Sequence, residues 1–322
     1  MKMQPGCLQR MSQISVIIVS WDARDYLRDC LNSVRQTGAP GLHEIIVVDN
    51  ASSDGSPEMV AEEFPEVKLI RANENLGFAR ANNLGIRHAS GSLLALVNSD
   101  VVVQPECLQK LAAFLENRPE VGLVGPKIFG ADGHLQRSCG ELPTVWNTTC
   151  RFLALDRILS RWPLFSGFQM RHWNYDSQAE VGTLSGCFWL ARRASVDEVG
   201  GLDERFFFYA EDMDWCKRFW DAGWKIVFVP EAVATHFGGG SSSNAPLRFS
   251  VEMLRGSLMY WQKHHGWLGR SVCYALAMVR HCIRFVTRGS LRIIGLARGA
   301  ENRQKLKEDM VCLRWLLTGK GI

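Results

Sequence analysis

The sequence predicts an α/β fold with a mostly parallel, Rossmann-like central sheet flanked by helices. Two observations lead to this prediction: nearly continuous apolar runs of strand length, and helical patterns that alternate with them. The first strands are expected at residues 14–19, 44–48, 67–70 and from Leu93 to Asp100, with helices near residues 26–34, 57–64 and 76–86. In such sheets ligands bind at the carboxyl ends of the strands. The functional site is therefore expected at these strand ends.

The second half of the chain is less regular. Residues 107–115 form one helical face, and residues 122–125 follow as a short strand. Residues 138–179 show no clear period and are interpreted as a long excursion over the active face. Further strands are expected at residues 181–190, 224–230 and 232–236.

Composition limits the classes of function. The chain has 322 residues, a formal net charge of +4 and a sequence pI near 8.5. That length suits one elaborated core with a C-terminal appendage, and the charge is too mild to indicate a nucleic-acid partner. The ten cysteines include no Cys-x-x-Cys pair. They are interpreted as reduced, mostly buried thiols in a cytosolic protein.

The sequence also indicates where the protein resides. Residues 1–12 lack the apolar stretch of a secretory signal, and no uncharged stretch reaches the length needed to span a bilayer. A cytoplasmic location is therefore expected, with peripheral attachment to the inner face of the cell membrane as an extension of it.

Asp100 is a lone carboxylate between the apolar runs 93–97 and 101–103. It is costly there unless it is hydrogen-bonded, paired or holding a cation, so a strand-ending turn and a metal ligand both remain open. His236 ends the apolar run 232–236 before a loop of glycine and serine at residues 238–243. A lone histidine is more often structural, but together with Asp100 it would form an oxygen and nitrogen site for Mn²⁺ or Mg²⁺.

Two polar segments follow predicted strands. Asp49 ends the second strand, where a carboxylate can accept a hydrogen bond from a pyrimidine imide or a ribose hydroxyl; a turn-capping role suits Asp54 better. Asn75 and Gly77 precede a helix whose backbone donors favour an anion, with Arg80 in its first turn. Neither a P-loop nor a Gly-x-Gly-x-x-Gly fingerprint is present.

An acidic segment follows an aromatic run at residues 206–209. Glu211, Asp212 and Asp214 open a predicted helix, and an apolar wall beside them would raise a carboxyl pKa and favour a general base. The alternative is a helix-capping acidic cluster in which Asp214 pairs with Arg218. That alternative explains Asp214 but not the aromatic residues.

The C-terminal residues 267–298 show a basic amphipathic pattern. Apolar residues recur at helical spacing and arginines lie among them, at positions 270, 280, 284, 288, 292 and 298. The pattern suits a helix in the membrane interface, where anionic lipid would favour it. The alternative is a helix that packs on the core and shows its arginines to water.

The ordered motifs of residues 14–243 resemble the inverting family 2 glycosyltransferases of GT-A fold, in particular the bacterial rhamnosyltransferase-like branch. The matching segments are residues 14–21, 47–55, 75–78, 98–100, 211–212 and 236. The resemblance implies a nucleoside-diphosphate-sugar donor, with dTDP or UDP, bound by Ser20, Asp49, Asn50, Asn75, Gly77, Arg80, Asn98 and Ser99. It implies Mn²⁺ or Mg²⁺ on Asp100 and His236.

The resemblance also implies a mechanism. Asp212 would act as the general base in a single inverting displacement, Glu211 would orient the acceptor, and the acceptor would be a lipid-linked or cell-surface glycan. Asn98 replaces the first aspartate of the family's Asp-x-Asp motif, so one carboxylate remains for the cation. Trp215 and Phe207 are candidates for a wall that stacks on a sugar, although a core position is the stronger interpretation for each.

On this basis the chain divides into four parts. They are an N-terminal extension (1–12), a nucleotide-sugar-binding half (13–125), an acceptor-binding and catalytic half (126–245) and a helical, membrane-associating region (246–322). Two other classes stay open: a nucleotidyltransferase, although residues 20–25 lack the glycine-rich loop of that class, and a non-catalytic glycan-binding homologue.

Overall fold

The computed structural model describes residues 12–238, 245–296 and 299–319. The expectations for the N-terminal extension, for most of the glycine and serine loop and for Arg298 lie outside these residues. The strands are β1 Ile14–Ser20, β2 Leu42–Asp49, β3 Lys68–Arg71, β4 Leu93–Asn98, β5 Val101–Val103, β6 Val121–Phe129, β7 Leu135–Gln136, β8 Cys139–Gly140, β9 Ala179–Glu180, β10 Thr183–Leu184, β11 Phe188–Arg192 and β12 Lys225–His236. The helices are α1 Arg24–Thr37, α2 Ser56–Glu63, α3 Gly77–His88, α4 Cys107–Glu116, α5 Val145–Phe152, α6 Leu155–Ile158, α7 Pro163–Ser166, α8 Arg193–Val199, α9 Glu211–Asp221, α10 Pro246–Ile293 and α11 Ala300–Thr318.

The central sheet has the strand order β3-β2-β1-β4-β11-β6-β12-β5. Strands β3, β2, β1 and β4 are parallel, β11 is antiparallel to both β4 and β6, and β12 is parallel to β6 but antiparallel to β5. Register aligns Ser20 with Asp49 and Val19 with Asn98. The polar ends of three neighbouring strands therefore meet at one edge of the sheet, as the sequence predicts.

Most predicted elements are confirmed because their signals are local. Strand β1 is buried almost throughout, as expected for a parallel strand covered on both faces. Helix α1 ends at Gly38, whose φ of 50° is left-handed and whose backbone N–H bonds the Arg35 carbonyl. Within the described chain, all the cysteines except Cys282 are buried and none is in a disulfide.

Two expectations about the strands need correction. Residues 181–190 form two strands instead of one: β10 pairs with β8 in a separate small sheet, and the chain turns at Gly186 before β11 joins the central sheet. The two strands expected at 224–230 and 232–236 are one strand, β12, whose register shifts between Val229 and Val233. Pro230 lies in this shift, where a residue without a backbone N–H is tolerated.

The excursion at residues 138–179 is also more ordered than expected. It contains α5, α6 and α7, which are too short to show a helical period in sequence. Helix α5 begins with a capping box, in which the Thr144 side chain accepts from the Asn147 backbone and Asn147 accepts from the Thr144 backbone. Local capping thus fixes a helix that periodicity does not reveal.

The C-terminal helix begins 21 residues earlier than expected, at Pro246 instead of Trp267. It breaks at Gly266, where φ is 64° and ψ is −164°, and α11 then folds back along its second half. No described helix combines the length and the apolar character needed to cross a bilayer.

The orientation of this second half differs from the alternative of arginines facing water. Arg284 and Arg288 turn inward and pair with Asp309 of α11, which is fully buried. Apolar residues face outward instead: Leu268 is 60% exposed, Ile283 51% and Val286 62%. The helix is amphipathic as expected, but its apolar face is the exposed one.

A buried ion cluster joins α9 to the first half of α10. Asp214, which is fully buried, accepts from Arg218 Nε at 2.9 Å and lies 2.6 Å from Lys263 Nζ and 2.7 Å from His264 Nε2. Burial acts to raise the pKa of Asp214, but the donors from His264 and Lys263 outweigh it and the pKa lies below its usual value. The Asp214–Arg218 pair expected from sequence is present, as part of a larger cluster.

We expect Asp214→Asn to lower the free energy of unfolding by about 3 kcal/mol, because removing one partner of a buried ion cluster leaves the others uncompensated. Denaturant unfolding measures the change. Asp221→Asn is the matched control, since Asp221 pairs with Lys217 at 2.6 Å on the same helix but is largely exposed. We expect that control to cost less than about 1 kcal/mol. Equal losses in the two variants would contradict the anchoring role of Asp214.

Candidate active site

A cavity of about 200 Å³ opens at the carboxyl ends of β1 and β4, facing the first turn of α9. Nine of the predicted site residues line it: Asn50, Asn75, Gly77, Asn98, Ser99, Asp100, Glu211, Asp212 and His236. Residues from five separate segments of the sequence therefore meet in one place, which is the main expectation drawn from the motifs.

Three predicted residues do not line the cavity. Ser20 and Asp49 lie buried at the neighbouring strand ends, and Arg80 is half-exposed beside Glu74, with 3.8 Å between its Nη1 and the Glu74 Oε1. Ser20 Oγ and Asp49 Oδ1 have no hydrogen-bond partner among the described residues. Burial raises the pKa of Asp49, against the hydrogen bonds from Ser52 that lower it. Unpartnered buried acceptors at a strand edge are suited to a ligand that donates hydrogen bonds.

The start of α3 differs from the anion site expected there. The backbone N–H of Leu76 donates to Asn50 Oδ1 at 2.8 Å, and that of Gly77 donates to Asn75 Oδ1 at 2.9 Å. The backbone N–H of Phe78 donates to the Phe207 carbonyl at 2.8 Å. These donors are already satisfied, so Asn50 and Asn75 shape the loop and leave no free donor among these three groups for a phosphate.

Gly77 allows this loop to approach the aromatic segment. Its φ is 77°, and a Cβ added there would lie 2.5 Å from the Phe207 carbonyl oxygen. A side chain at this position would therefore separate α3 from Phe207, which lines the cavity. Glycine is required here for both conformation and space.

Asp100 and His236 meet because β12 pairs with β5. His236 lies opposite Val101, and the Phe237 backbone N–H donates to the Asp100 carbonyl at 2.9 Å. His236 Nε2 is 3.2 Å from Asp100 Oδ1, and its Nδ1 is 3.0 Å from Gln136 Oε1. When Nδ1 donates to the Gln136 oxygen, Nε2 is the ring nitrogen that is available to bind a metal.

This geometry fits a divalent cation. His236 Nε2 and Asp100 Oδ1 are 3.2 Å apart, and neighbouring ligands of an octahedral ion with bonds of about 2.1 Å are about 3 Å apart, so one cation could bind both atoms. Among the described residues no group of three or more His, Cys, Asp or Glu is placed to hold a metal. Asp100 and His236 therefore provide a partial ligand set that a diphosphate and water would complete.

Glu211 and Asp212 form a coupled acidic pair at the start of α9. Burial, together with the charge of Asp212, raises the pKa of Glu211 well above its usual value, and its Oε2 has no hydrogen-bond partner among the described residues. Burial also raises the pKa of Asp212, whose Oδ1 accepts from the Met213 backbone at 2.8 Å. Burial thus favours the protonated form of both carboxyl groups, and the charge of Asp212 adds to this effect at Glu211.

An aromatic wall completes the cavity, and sequence analysis found only part of it. The wall consists of Trp21, Phe78, Phe207, Phe208, Tyr209 and Phe249. Phe249 belongs to α10 and packs on Phe208 with a centroid distance of 5.0 Å. No local signal indicated this residue, because its position depends on how α10 docks. Trp215, by contrast, is fully buried against Trp189, in the core position expected for it.

Comparisons with known proteins agree with this fold. The family model described as "Glycosyl transferase family 2" matches residues 15–200, more than half of the chain. The N-acetylglucosaminyl-diphospho-decaprenol L-rhamnosyltransferase of Mycobacterium tuberculosis is 26% identical over 305 residues, which cover 83% of this chain and 99% of that protein.

Two solved structures share the fold. A mannosyltransferase from Pyrobaculum calidifontis, in complex with GDP-Man and Mn²⁺, superposes with a TM-score of 0.57 at 16% identity, over 97% of this chain and 89% of its own. GalNAc-T7 with UDP, GalNAc and Mn²⁺ gives 0.53 at 18% identity, over 70% of this chain and 43% of its own.

The fold and the site thus define a glycosyltransferase of GT-A architecture. Within that class, the chain belongs to glycosyl transferase family 2.

We expect Glu211→Gln to stabilise the protein increasingly as the pH rises. The unfolded chain releases the Glu211 proton near its usual pKa of 4.5, whereas the folded state retains it, so wild-type stability falls with rising pH above that value. Glutamine removes this loss. Denaturant unfolding at about pH 5 and about pH 8 measures the difference.

The control for this variant is Glu62→Gln, at an exposed position of α2. Its stability difference from the wild type should not change between the two pH values. A stabilisation by Glu211→Gln that is the same at both pH values would contradict the raised pKa.

Proposed function

We propose that the protein transfers a sugar, rhamnose or a closely related one, from a dTDP- or UDP-sugar to a hydroxyl of a lipid-linked or cell-surface glycan, with inversion at the anomeric carbon. The observation that carries the proposal is that Asp212, whose pKa is raised, lines the same cavity as Asp100 and His236. The name of the Mycobacterium tuberculosis relative supports the sugar and the lipid-linked acceptor.

In this proposal Asp212, Glu211 and the aromatic wall have different roles in the reaction. Asp212 accepts the proton of the acceptor hydroxyl as its oxygen bonds to the anomeric carbon, and the nucleoside diphosphate leaves with the electrons of the broken bond. Glu211, which lines the same cavity beside Asp212, orients the acceptor. The aromatic wall excludes water, which limits hydrolysis of the donor.

The donor would lie along the strand ends. Asp49 and Ser20, with their unpartnered oxygens, would accept hydrogen bonds from the base or the ribose. Asp100 and His236 would hold Mn²⁺ or Mg²⁺, which stabilises the charge of the leaving diphosphate when bound. Asn98 and Ser99 line the same cavity beside them.

We expect two variants to separate the base from the metal ligand. Asp212→Asn should lower kcat by roughly 10²–10⁴-fold and retain metal-dependent donor binding. Asp100→Ala should abolish that binding even at high Mn²⁺, and Asn98→Ala, its neighbour in the same motif, should weaken it far less. Calorimetric titration of nucleotide sugars with and without Mn²⁺ measures binding, and release of nucleoside diphosphate measures transfer.

The products also test the class of reaction. Release of pyrophosphate would indicate a nucleotidyltransferase, and an absence of any turnover of nucleotide sugars would indicate a glycan-binding homologue. Normal transfer by Asp212→Asn would show that another residue is the base.

We further propose that the second half of α10 binds the inner face of the membrane. Leu268, Val272, Val279, Ile283 and Val286 recur at helical spacing on its exposed face. The α6–α7 segment also exposes apolar residues next to arginines. Ile158 is 74% exposed and follows Arg157, and Trp162 is 64% exposed and follows Arg161. Exposed apolar residues among arginines are suited to the interface of an anionic bilayer.

Ile283→Asp is expected to weaken binding of the full chain to phosphatidylglycerol vesicles by about tenfold or more, because burial of the isoleucine side chain in the bilayer contributes roughly 1.5–3 kcal/mol to binding. Vesicle co-sedimentation measures the affinity. Gln109→Asp, which adds the same charge at an exposed position of α4, is the control. Unchanged binding by Ile283→Asp, or none by the wild type, would disprove the membrane proposal.

A further inference from the structure

A second cavity, of about 250 Å³, lies among the two halves of α10, α11 and the end of α5. Its apolar lining includes Phe152, Leu254 and Ala277, and its polar lining includes Arg280 and Arg284. None of the motifs singled out in the sequence, apart from the arginine pattern itself, falls on this cavity.

Two carboxylates, Glu308 and Asp309, line the cavity, and three arginines, Arg280, Arg284 and Arg288, lie in or beside it, so the cations outnumber the anions. Asp309 is already paired with Arg284, Arg288 and His281, whose Nδ1 lies 2.9 Å from its Oδ1. Arg280 has no ion pair among the described residues; its guanidinium lies 5.3 Å from the centre of the Phe152 ring. The region therefore holds a cation without a carboxylate partner inside a partly apolar cavity.

A second unpaired arginine lies close by. The Arg151 guanidinium stacks over the Phe168 ring at 4.1 Å and forms no ion pair within the described chain. Burial lowers the pKa of Arg280 to about 10, and repulsion by Arg284, Arg151 and Arg157 adds to the effect. Buried, mutually repelling guanidinium groups are stabilised by an anion that binds between them.

The cavity lies on the same side of the molecule as the acidic pair. Leu254 and Ala277 belong to one apolar cluster with Ala210, the residue before Glu211, and Phe152 and Met213 pack against that cluster. Arg151 is close enough to Asp212 for their charges to interact. The cavity and the first turn of α9 thus border the same apolar cluster.

We propose that this cavity binds the diphosphate of the lipid-linked acceptor, with Arg280 and Arg284 as its principal ligands. The proposal rests on the proposed function, which supplies an acceptor of this class. Guanidinium groups bind phosphate oxygens through two parallel hydrogen bonds, and Arg280 is free to do so. Met253, which lines the cavity and is 46% exposed, offers an apolar contact for the start of the lipid chain.

Binding of inorganic diphosphate to the full chain tests the site directly. The titration is done by calorimetry without divalent metal, so that the Asp100–His236 pair does not recruit the ligand. Arg280→Gln should weaken this binding by about tenfold or more, as expected for loss of a charged hydrogen bond. Arg280→Lys should weaken diphosphate binding less, because lysine keeps the positive charge but lacks the paired N–H donors of the guanidinium group.

Arg270→Gln is the control, on the same helix but exposed. It should bind diphosphate as the wild type does. If Arg280→Gln unfolds, the test uses Arg280→Lys instead. Diphosphate binding by the folded variant that is as tight as that of the wild type would overturn the proposal.

Kinetics then identify the source of the phosphate. With a lipid-diphosphate acceptor, Arg280→Gln should raise KM about tenfold, with the change in KM rather than in kcat, and should not change KM for a sugar acceptor that lacks the diphosphate. If Arg280→Gln weakens binding to phosphatidylglycerol vesicles but leaves KM for the acceptor unchanged, the ligand is a bilayer headgroup and the proposal is overturned. Failure of the proposed function itself would appear separately, as an absence of donor turnover by the wild type.

Discussion

The buried carboxylate of Asp214 is the interaction on which the arrangement of the active site depends. It joins α9 to α10 through Lys263 and His264, with Arg218 of α9 as a further partner, and α9 begins with Glu211 and Asp212. The same docking brings Phe249 of α10 onto the aromatic wall. Because a buried carboxylate is tolerated only with its full set of partners, the cluster specifies one position of α9 relative to α10. The position of α9 in turn determines where the side chains of Glu211 and Asp212 lie relative to the cavity.

The first turn of α9 places three carboxylates within four residues and gives them opposite electrostatic environments. Asp214 faces three cationic side chains, and its pKa falls although it is buried. Glu211 and Asp212 face apolar and aromatic groups on the cavity side, and burial raises the pKa of each. One helix terminus thus supplies both a structural anion and a pair suited to proton transfer. The difference arises from the partners on α10, since all three residues share the same helix dipole.

What the sequence could predict follows from how local each feature is. The parallel strands and the polar ends at Asp49 and Asp100 were predictable because each strand is apolar within its own few residues. The approach of His236 to Asp100 depends on antiparallel pairing between β12 and β5, which the residues within either strand do not specify. The satisfied donors at the start of α3 depend on the side chains of Asn50 and Asn75, and the role of Phe249 depends on helix docking. No periodicity encodes contacts of this kind.

The C-terminal hairpin shows why an amphipathic pattern alone leaves its orientation undecided. The same spacing of arginines and aliphatic residues is compatible with either face turned inward. Asp309 decides between them: as a buried carboxylate on α11 it requires cations, and Arg284, Arg288 and His281 supply them from α10. The aliphatic face is then left outside, while Arg280 enters a cavity beside Phe152 without a partner of its own. Asp309 of α11 therefore accounts both for the exposed apolar face of α10 and for the position of the unpaired Arg280 behind that face. An apolar surface next to an unpaired cation is the combination suited to a lipid that carries an anionic group.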